Sequence, residues 1–233
     1  MSLPYFYEPE ILPDAKHHTL SDESVKHAIQ VLRMRAGDAL QLTDGKGHLF
    51  TANITDLDKR SCSVAVKEIQ FIEKQQRHVA MGISLLKNAS RFEWFLEKAT
   101  EIGVSEIIPM LCQRTEKQHF RFDRMQGILV SAMLQSQQVW LPLLRTPEKG
   151  LDLIENSRQK QRLIAHCEPH EKKELATVTI DNDILMLIGP EGDFSPEEIE
   201  KALLLSYAPV ALGNTRLRTE TAGIVAATLL MNL

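Results

Sequence analysis

The sequence has no long hydrophobic run and few cysteines, and each of these absences excludes a class of protein. No segment approaches the roughly 18 consecutive apolar residues of a membrane-spanning helix, so we expect no membrane segment. The opening residues MSLPYFYEPE lack the basic start and apolar core of a signal peptide. Cys62, Cys112 and Cys167 are odd in number and far apart, which argues against a disulfide framework. Together these absences predict a reduced, cytoplasmic protein.

Several ligand-binding motifs are missing as well. No GxGxxG follows a strand, so a Rossmann-type dinucleotide or methyltransferase site is not indicated. There is neither a Walker phosphate loop nor the GxSxG elbow of α/β-hydrolases. The segment His166-Cys167-Glu168-Pro169-His170 lacks a second ligand pair at zinc spacing, so we expect no metal site.

The charge balance is slightly acidic and uneven along the chain. The 233 residues carry a net charge of −4, which argues mildly against indiscriminate nucleic-acid binding. Residues 71–125 hold nine Lys and Arg against seven Asp and Glu, whereas residues 126–233 hold ten against fourteen. The basic segment 114–124 mixes cations with aromatic side chains, as an RNA-facing loop or a solvated surface loop would.

The first third of the chain has the pattern of a small β-rich domain. Asp44-Gly45 separates two apolar runs and predicts a hairpin turn. Residues 62–66 alternate with period two and predict a further strand. The Lys- and Gln-rich stretch 73–77 is the best candidate for a linker.

From residue 78 onward, strand and helix patterns alternate. Strands are predicted at 79–86, 107–111, 163–166, 184–188 and 209–212, and helices at 91–102, 124–139, 149–161 and 219–231. Such alternation is typical of a mostly parallel sheet covered by helices on both faces. The predicted fold class is therefore α/β.

Two glycine-punctuated segments near the C-terminus are the most informative part of the sequence. Residues 185–198 read LMLIGPEGDFSPEE, and residues 211–222 read ALGNTRLRTETA. Each is a strand-like run that ends in glycine, followed by a loop and a helix start. Ser195, Pro196 and Glu198 predict a capped helix with a capping box. Neighbouring strand ends of this kind form a crevice suited to a small cofactor.

These two segments resemble the paired C-terminal motifs of the 16S rRNA (uracil-N3) methyltransferase family of the SPOUT superfamily. Three further stretches are similar to the family's other motifs: residues 98–104, residues 134–136, and residues 27–33 with Gly37-Asp38. The resemblance implies a SPOUT-type parallel sheet with a trefoil knot over residues 73–233, preceded by a PUA-like β-barrel RNA-binding domain over residues 1–72.

The resemblance also implies the function. It indicates methylation of N3 of one uridine in 16S rRNA, with S-adenosylmethionine (SAM) as cofactor and the small ribosomal subunit as partner. It implies a cytoplasmic homodimer in which two subunits build each active site. Two other functions stay open on the residues: a related methyltransferase acting on another base or a ribose 2′-hydroxyl, and a non-catalytic RNA-binding ribosome assembly factor.

Carried over position by position, the family pattern implies three sets of site residues. The cofactor would be held by His166, Gly189, Pro190, Glu191, Gly192, Leu212, Gly213, Leu217, Arg218, Thr219, Thr221 and Ala222. The catalytic candidates are Arg218 and Glu220. The RNA-binding candidates are Arg33, Arg35, Arg91, Arg114, Lys117 and Arg121.

The chemistry assigns Arg218 a role but leaves the carboxylates open. Loss of the N3 proton spreads charge over the uracil carbonyl oxygens, which a fixed cation would stabilise. Glu220 or Glu191 could accept that proton, or either could pair with Arg216 or Arg218 and organise the loop.

The sequence departs from the family pattern at several positions, among them Leu134, which stands where the family usually has glutamate, and three others. Gln138 and Thr215 stand where the family usually has arginine, and Asp193 stands where it usually has a second glycine after GPE. The changes at Gln138 and Thr215 affect expected RNA contacts more than the cofactor loop. They are the main support for the assembly-factor alternative.

Overall fold

The computed structural model describes residues 3–116, 119–169 and 171–233. The chain divides into two compact units. The first comprises Met1–Lys74 with Met133–Leu141, and the second comprises Gln75–Ala132 with Pro142–Leu233. Within the described residues, no helix has the length and apolar character needed to cross a membrane.

The first unit is built on a five-stranded sheet. Its strands and helical turns are β1 (Tyr5–Tyr7), β2 (His17–Thr19), α1 (Asp22–Lys26), a π-helical turn (His27–Val31), β3 (Ala39–Thr43), β4 (His48–Leu57) and β5 (Cys62–Phe71). The strand order is β1-β3-β4-β5-β2. β1 runs parallel to β3, and the other pairs are antiparallel.

The predicted hairpin is confirmed between β3 and β4. The Asp44 carboxylate accepts hydrogen bonds from the backbone N–H groups of Lys46 (2.7 Å) and His48 (3.2 Å), which fixes the turn. Alternation along β4 then buries Phe50, Ala52 and Ile54 in the core of the unit.

The first unit also includes a segment that is distant in sequence. The carbonyl of Val139 accepts from Gly47 N at 2.9 Å, and Trp140 Nε1 donates to Ile72 O at 2.8 Å. The Tyr5 hydroxyl donates to Gln138 O at 2.9 Å. Residues 133–141 therefore complete this unit, which the sequence did not predict.

The second unit is built on a parallel sheet flanked by helices. In chain order its elements are β6 (His78–Ser84), α2 (Ala89–Ile102), β7 (Glu106–Leu111), α3 (Phe122–Gln135), β8 (Leu143–Leu144), β9 (Glu148–Lys149), α4 (Gly150–Asn156), β10 (Gln161–Ala165), β11 (Lys173–Glu174), a 3₁₀ turn (Leu175–Thr177), β12 (Asp183–Ile188), α5 (Pro196–Leu204), β13 (Ala208–Ala211) and α6 (Thr219–Asn232). The strand order is β11-β13-β10-β12-β6-β7-β8, with β9 also paired to β7. All these pairs are parallel, which confirms the predicted fold class.

Local sequence explains the clearest helix of this unit. The Asn88 side chain caps the start of α2 by accepting from Ser90 N, and Gly103 ends the helix at φ 95°. The predicted apolar face is buried through Phe92, Phe95, Leu96 and Ala99.

Two predicted helix extents were wrong. α3 ends at Gln135, four residues before the predicted end, and Gln137 has a φ of 56° that is incompatible with a continuing helix. α4 ends at Asn156 because Ser157 is extended, and the residues from Gln161 form β10. The periodic pattern in both segments continued past the point at which the backbone turns.

Candidate functional site

A cavity of about 580 Å³ lies at the carboxyl ends of β10, β12 and β13. This is the edge at which parallel α/β sheets bind ligands, and the volume is typical of small-molecule sites. Its walls are formed by the three loops that follow these strands and by the start of α6. The lining residues are Ala165, His166, Cys167, Lys172, Ile188, Gly189, Pro190, Glu191, Asp193, Val210, Ala211, Leu212, Gly213, Asn214, Thr215, Arg216, Leu217, Arg218, Thr219 and Ala222.

The loop after β12 turns tightly at Gly189 and Asp193. A Cβ at Gly189 would lie 2.9 Å from the Phe194 ring, so only glycine fits there. Asp193 has a φ of 65°, and its N–H donates to Pro190 O at 3.0 Å. Ser195 then caps α5, and the predicted capping box with Glu198 is confirmed.

Two residues just beyond the carboxyl end of β7, Gln113 and Arg114, hold this loop in place. Arg114 Nη1 donates to the carbonyls of Gly192 (2.8 Å) and Phe194 (3.3 Å). The buried Glu198 carboxylate accepts from Ser195 N at 2.8 Å and from Gln113 N at 2.9 Å. Glu198 thus completes the capping box and also joins α5 to the end of β7.

The loop after β13 carries the second glycine motif. Gly213 has a φ of 116°, a conformation that side chains disfavour, and a Cβ there would point into open space. Arg216 and Arg218 are exposed. The Arg218 carbonyl accepts from Ala222 N at 2.7 Å, so Arg218 occupies the N-cap position of α6.

The loop after β10 forms the third wall. His166 is buried, and its carbonyl accepts from Lys172 Nζ at 2.7 Å. Cys167 N donates to the Asp193 carboxylate at 2.7 Å, which joins this wall to the loop after β12. The cavity rim therefore carries the cations Lys172, Arg216 and Arg218 beside the acids Glu191 and Asp193.

Most of the predicted cofactor residues lie together on this cavity. Gly192 and Thr221 are not among the lining residues, whereas the other ten are: His166, Gly189, Pro190, Glu191, Leu212, Gly213, Leu217, Arg218, Thr219 and Ala222. Their roles in binding stay predictions.

The two catalytic candidates occupy different positions. Arg218 lines the cavity, whereas Glu220 does not and is buried in the first turn of α6. Glu220 Oε1 lies 3.6 Å from Arg91 Nε, so the ion pair of Glu220 joins it to Arg91 and not to Arg216 or Arg218, the partners left open by the sequence. Glu191 lines the cavity and accepts from Lys87 N at 3.3 Å.

The RNA-binding candidates also separate into groups. Arg33, Arg35 and Arg121 are exposed. Arg91 faces Glu220, and Arg114 holds the loop after β12. Lys117 lies outside the described residues.

The sequence did not predict three residues of the cavity wall that form hydrogen bonds there. These are Lys172, Cys167 and Asp193. Lys172 gave no signal because its place at the cavity depends on a contact with the His166 carbonyl, which no local sequence pattern indicates. The sequence marks Asp193 only as a departure from the family pattern, which usually has glycine there. Aspartate is nonetheless one of the few residues besides glycine that adopt a positive φ readily.

Residues 73–231 match the family model described as an RNA methyltransferase domain. The chain belongs to the RNA methyltransferase family. Residues 20–67 match a second model, described as an RNA methyltransferase PUA domain. The methyltransferase match covers every residue of the cavity wall, and the PUA match falls in the first structural unit.

Solved structures of this family are similar over nearly the whole chain. A "probable rRNA-methyltransferase" from Porphyromonas gingivalis is 40% identical, with a TM-score of 0.89 over 97% of this chain and 95% of that one. A ribosomal RNA small subunit methyltransferase E from Neisseria gonorrhoeae, bound to S-adenosyl methionine, is 28% identical, with a TM-score of 0.87 over 97% and 95%. The protein of the same name from Rickettsia conorii is 27% identical over 95% of this chain and 91% of its own length.

Proposed function

We propose that this protein methylates N3 of one uridine in 16S rRNA, with SAM as the methyl donor. The observation that carries the proposal is the cavity at the ends of β10, β12 and β13, which brings both glycine motifs together. Family membership and the SAM-bound relative from Neisseria gonorrhoeae support it.

The residues of the cavity fit this cofactor. SAM combines an adenine, a ribose, a carboxylate and two positive groups. The backbone of Gly189–Glu191 and Leu212–Thr219 supplies hydrogen-bonding groups, and Leu212 and Leu217 supply apolar surface for the adenine. The rim carries side chains of both charges, which suits a ligand that is both anionic and cationic. When bound, SAM supplies an electrophilic methyl group.

The chain's own residues position the reactants and stabilise charge. We propose that the exposed Arg218 guanidinium faces the uracil carbonyl oxygens, where negative charge develops as N3 loses its proton. The backbone of the two loops would hold SAM in one position against the uridine, and such positioning of reactants supplies much of a rate enhancement.

For Glu220, the geometry favours a positioning role. Its carboxylate is buried off the cavity wall and faces Arg91, so it fixes the first turn of α6 and with it the Arg218 backbone. The role of proton acceptor is the alternative. Comparing the pH profile of Glu220→Gln with that of wild type separates the two, since loss of a general base would remove an acidic limb of the rate profile.

The proposed function includes a two-domain, dimeric architecture for this protein. We propose a PUA-like RNA-binding domain over residues 1–72 and a knotted SPOUT domain over residues 73–233, of which residues 133–141 belong to the first structural unit. α6 follows the near-edge strand β13 yet packs against α2 and the central β6, which supports a chain that returns through its own fold. We further propose a cytoplasmic homodimer, because the substrate is ribosomal RNA and the resembled family builds each site from two subunits.

Exposed cations support the RNA contacts. Arg33 and Arg35 in the first unit, and Arg121 in the second, are exposed, whereas Arg91 faces Glu220 and Arg114 holds the loop after β12. We propose that these three arginines contact RNA phosphates, which position the substrate without reading its sequence.

The test is methyl transfer from labelled SAM to small ribosomal subunits taken from cells that lack the modification. Label on N3 of a single 16S uridine supports the proposal. SAM binding without transfer would instead indicate an assembly factor, and label on another base or a ribose would indicate a different target. Subunits that already carry the modification provide the matched control and should take up no label.

A further inference from the structure

The loop after β12 contains one residue with two unusual properties. Asp193 has a φ of 65°, and both of its carboxylate oxygens accept backbone hydrogen bonds. Oδ2 accepts from Cys167 N at 2.7 Å, and Oδ1 accepts from Phe194 N at 2.8 Å. Aspartate is one of the few non-glycine residues that adopt this backbone region readily.

The contact to Cys167 joins two walls of the cavity. Cys167 lies 26 residues earlier in the chain, just beyond the end of β10, and both residues line the cavity. Arg114 holds the carbonyls on either side of Asp193, at Gly192 and Phe194. The loop is therefore fixed from β7 by Arg114 and from β10 by Asp193.

We propose that Asp193 is a positioning residue that latches the loop after β12 to the end of β10 and thereby sets the affinity for SAM. This inference rests on the proposed function. A glycine at position 193 would adopt the same φ more easily but would leave the Cys167 N–H without this acceptor. Compared with glycine, aspartate thus restricts the backbone but adds a charge-assisted hydrogen bond across the cavity.

Three variants distinguish loss of the contact between Asp193 and Cys167 from a general effect of backbone conformation or charge. Asp193→Gly keeps the backbone conformation accessible and removes the side chain. Asp193→Asn keeps tolerance of the positive φ but turns one acceptor oxygen into an NH₂ group. Glu197→Gln is the matched control, since it removes one exposed negative charge four residues away and leaves the Cys167 contact intact.

The first measurement is amide hydrogen exchange at Cys167 by NMR, without cofactor. We expect faster exchange in Asp193→Gly and Asp193→Asn and wild-type exchange in Glu197→Gln. The second is SAM affinity by calorimetry, where we expect about fivefold weaker binding in both Asp193 variants, because part of a charge-assisted hydrogen bond is lost. With substrate, KM for SAM should rise while kcat at saturating SAM stays unchanged.

The outcomes are distinguishable. Wild-type SAM affinity in a folded Asp193→Gly protein, or unchanged exchange at Cys167, would overturn the latch. Absence of SAM binding by the wild-type protein would instead refute the proposed function. A melting curve for each variant establishes that the protein compared is folded.

Discussion

At the scale of the single residue, Arg218 combines a structural and a chemical position. Its backbone begins α6, and its side chain is exposed at the cavity. We predict that Arg218→Ala lowers kcat by roughly 10²- to 10³-fold, because a fixed donor at a developing negative charge is lost. SAM affinity, measured by calorimetry, should stay within about twofold because the backbone contacts remain.

The matched control for this prediction is Arg216→Ala. Arg216 is also exposed at the cavity rim, two residues earlier. Its loss should raise KM for RNA more than it lowers kcat, as expected for a phosphate contact. Equal losses of kcat in the two variants would contradict a special role for Arg218.

Glu8 makes a residue-scale prediction about stability and pH. Burial raises its pKa, but hydrogen bonds from His18, Ser24 and Ser21 outweigh burial and hold the pKa below its usual value. A lowered pKa means that the ionised carboxylate stabilises the fold above its unfolded pKa, and that this stabilisation is lost as the pH falls through the folded pKa. The Glu8→Gln substitution should therefore lower the free energy of unfolding by about 1–3 kcal/mol at pH 7, since hydrogen bonds to a charged group are removed.

Urea unfolding of wild type and Glu8→Gln at a series of pH values measures this difference. The difference in free energy of unfolding between the two proteins should narrow below about pH 4, where glutamate protonates. A difference that does not depend on pH would mean that the charge of Glu8 contributes nothing.

At the scale of the element, a glycine sets how closely two helices pack. A Cβ on Gly223 in α6 would lie 2.6 Å from the ring of Phe95 in α2 and 3.0 Å from Ile83 in β6. Phe95 and Ile83 are fully buried and have no room to move. We predict that Gly223→Ala costs about 1–3 kcal/mol of stability through overpacking, measured by urea unfolding.

Gly127 in α3 is the control for that substitution. A Cβ there meets nothing within 4 Å, and its backbone is helical. Gly127→Ala should stabilise the protein by about 0.5–1 kcal/mol, because alanine loses less conformational freedom in a helix. A loss of stability in Gly223→Ala together with a gain in Gly127→Ala would show that packing causes the effect at Gly223.

The elements also show how far sequence patterns reach. Buried strands such as β6 and β12 and the capped helices α2 and α5 were predictable, because each is specified by residues adjacent in sequence. β8, β9 and β11 are each two residues long and depend on the neighbouring strand, so no local pattern identified them. The roles of Arg114 and Lys172 likewise depend on which loops the sheet brings together.

At the scale of the whole molecule, the proposed dimer makes a prediction about activity. In solution we expect a mass twice the 26.4 kDa of one chain, measured by light scattering. If each active site combines two subunits, one can supply the cofactor cavity while its partner supplies RNA contacts. We would pair a Gly213→Val chain, whose side chain would be strained at φ 116°, with an Arg33→Ala/Arg35→Ala chain.

Mixing the two inactive variants then distinguishes shared from self-contained sites. With shared sites, half of the randomly mixed dimers contain both variants, and one of their two sites is intact. Activity should then recover to about a quarter of wild type. With self-contained sites, every site keeps one defect and no activity returns. Each variant alone, taken through the same mixing procedure, is the control. Activity in either control would mean that its substitution does not inactivate the site.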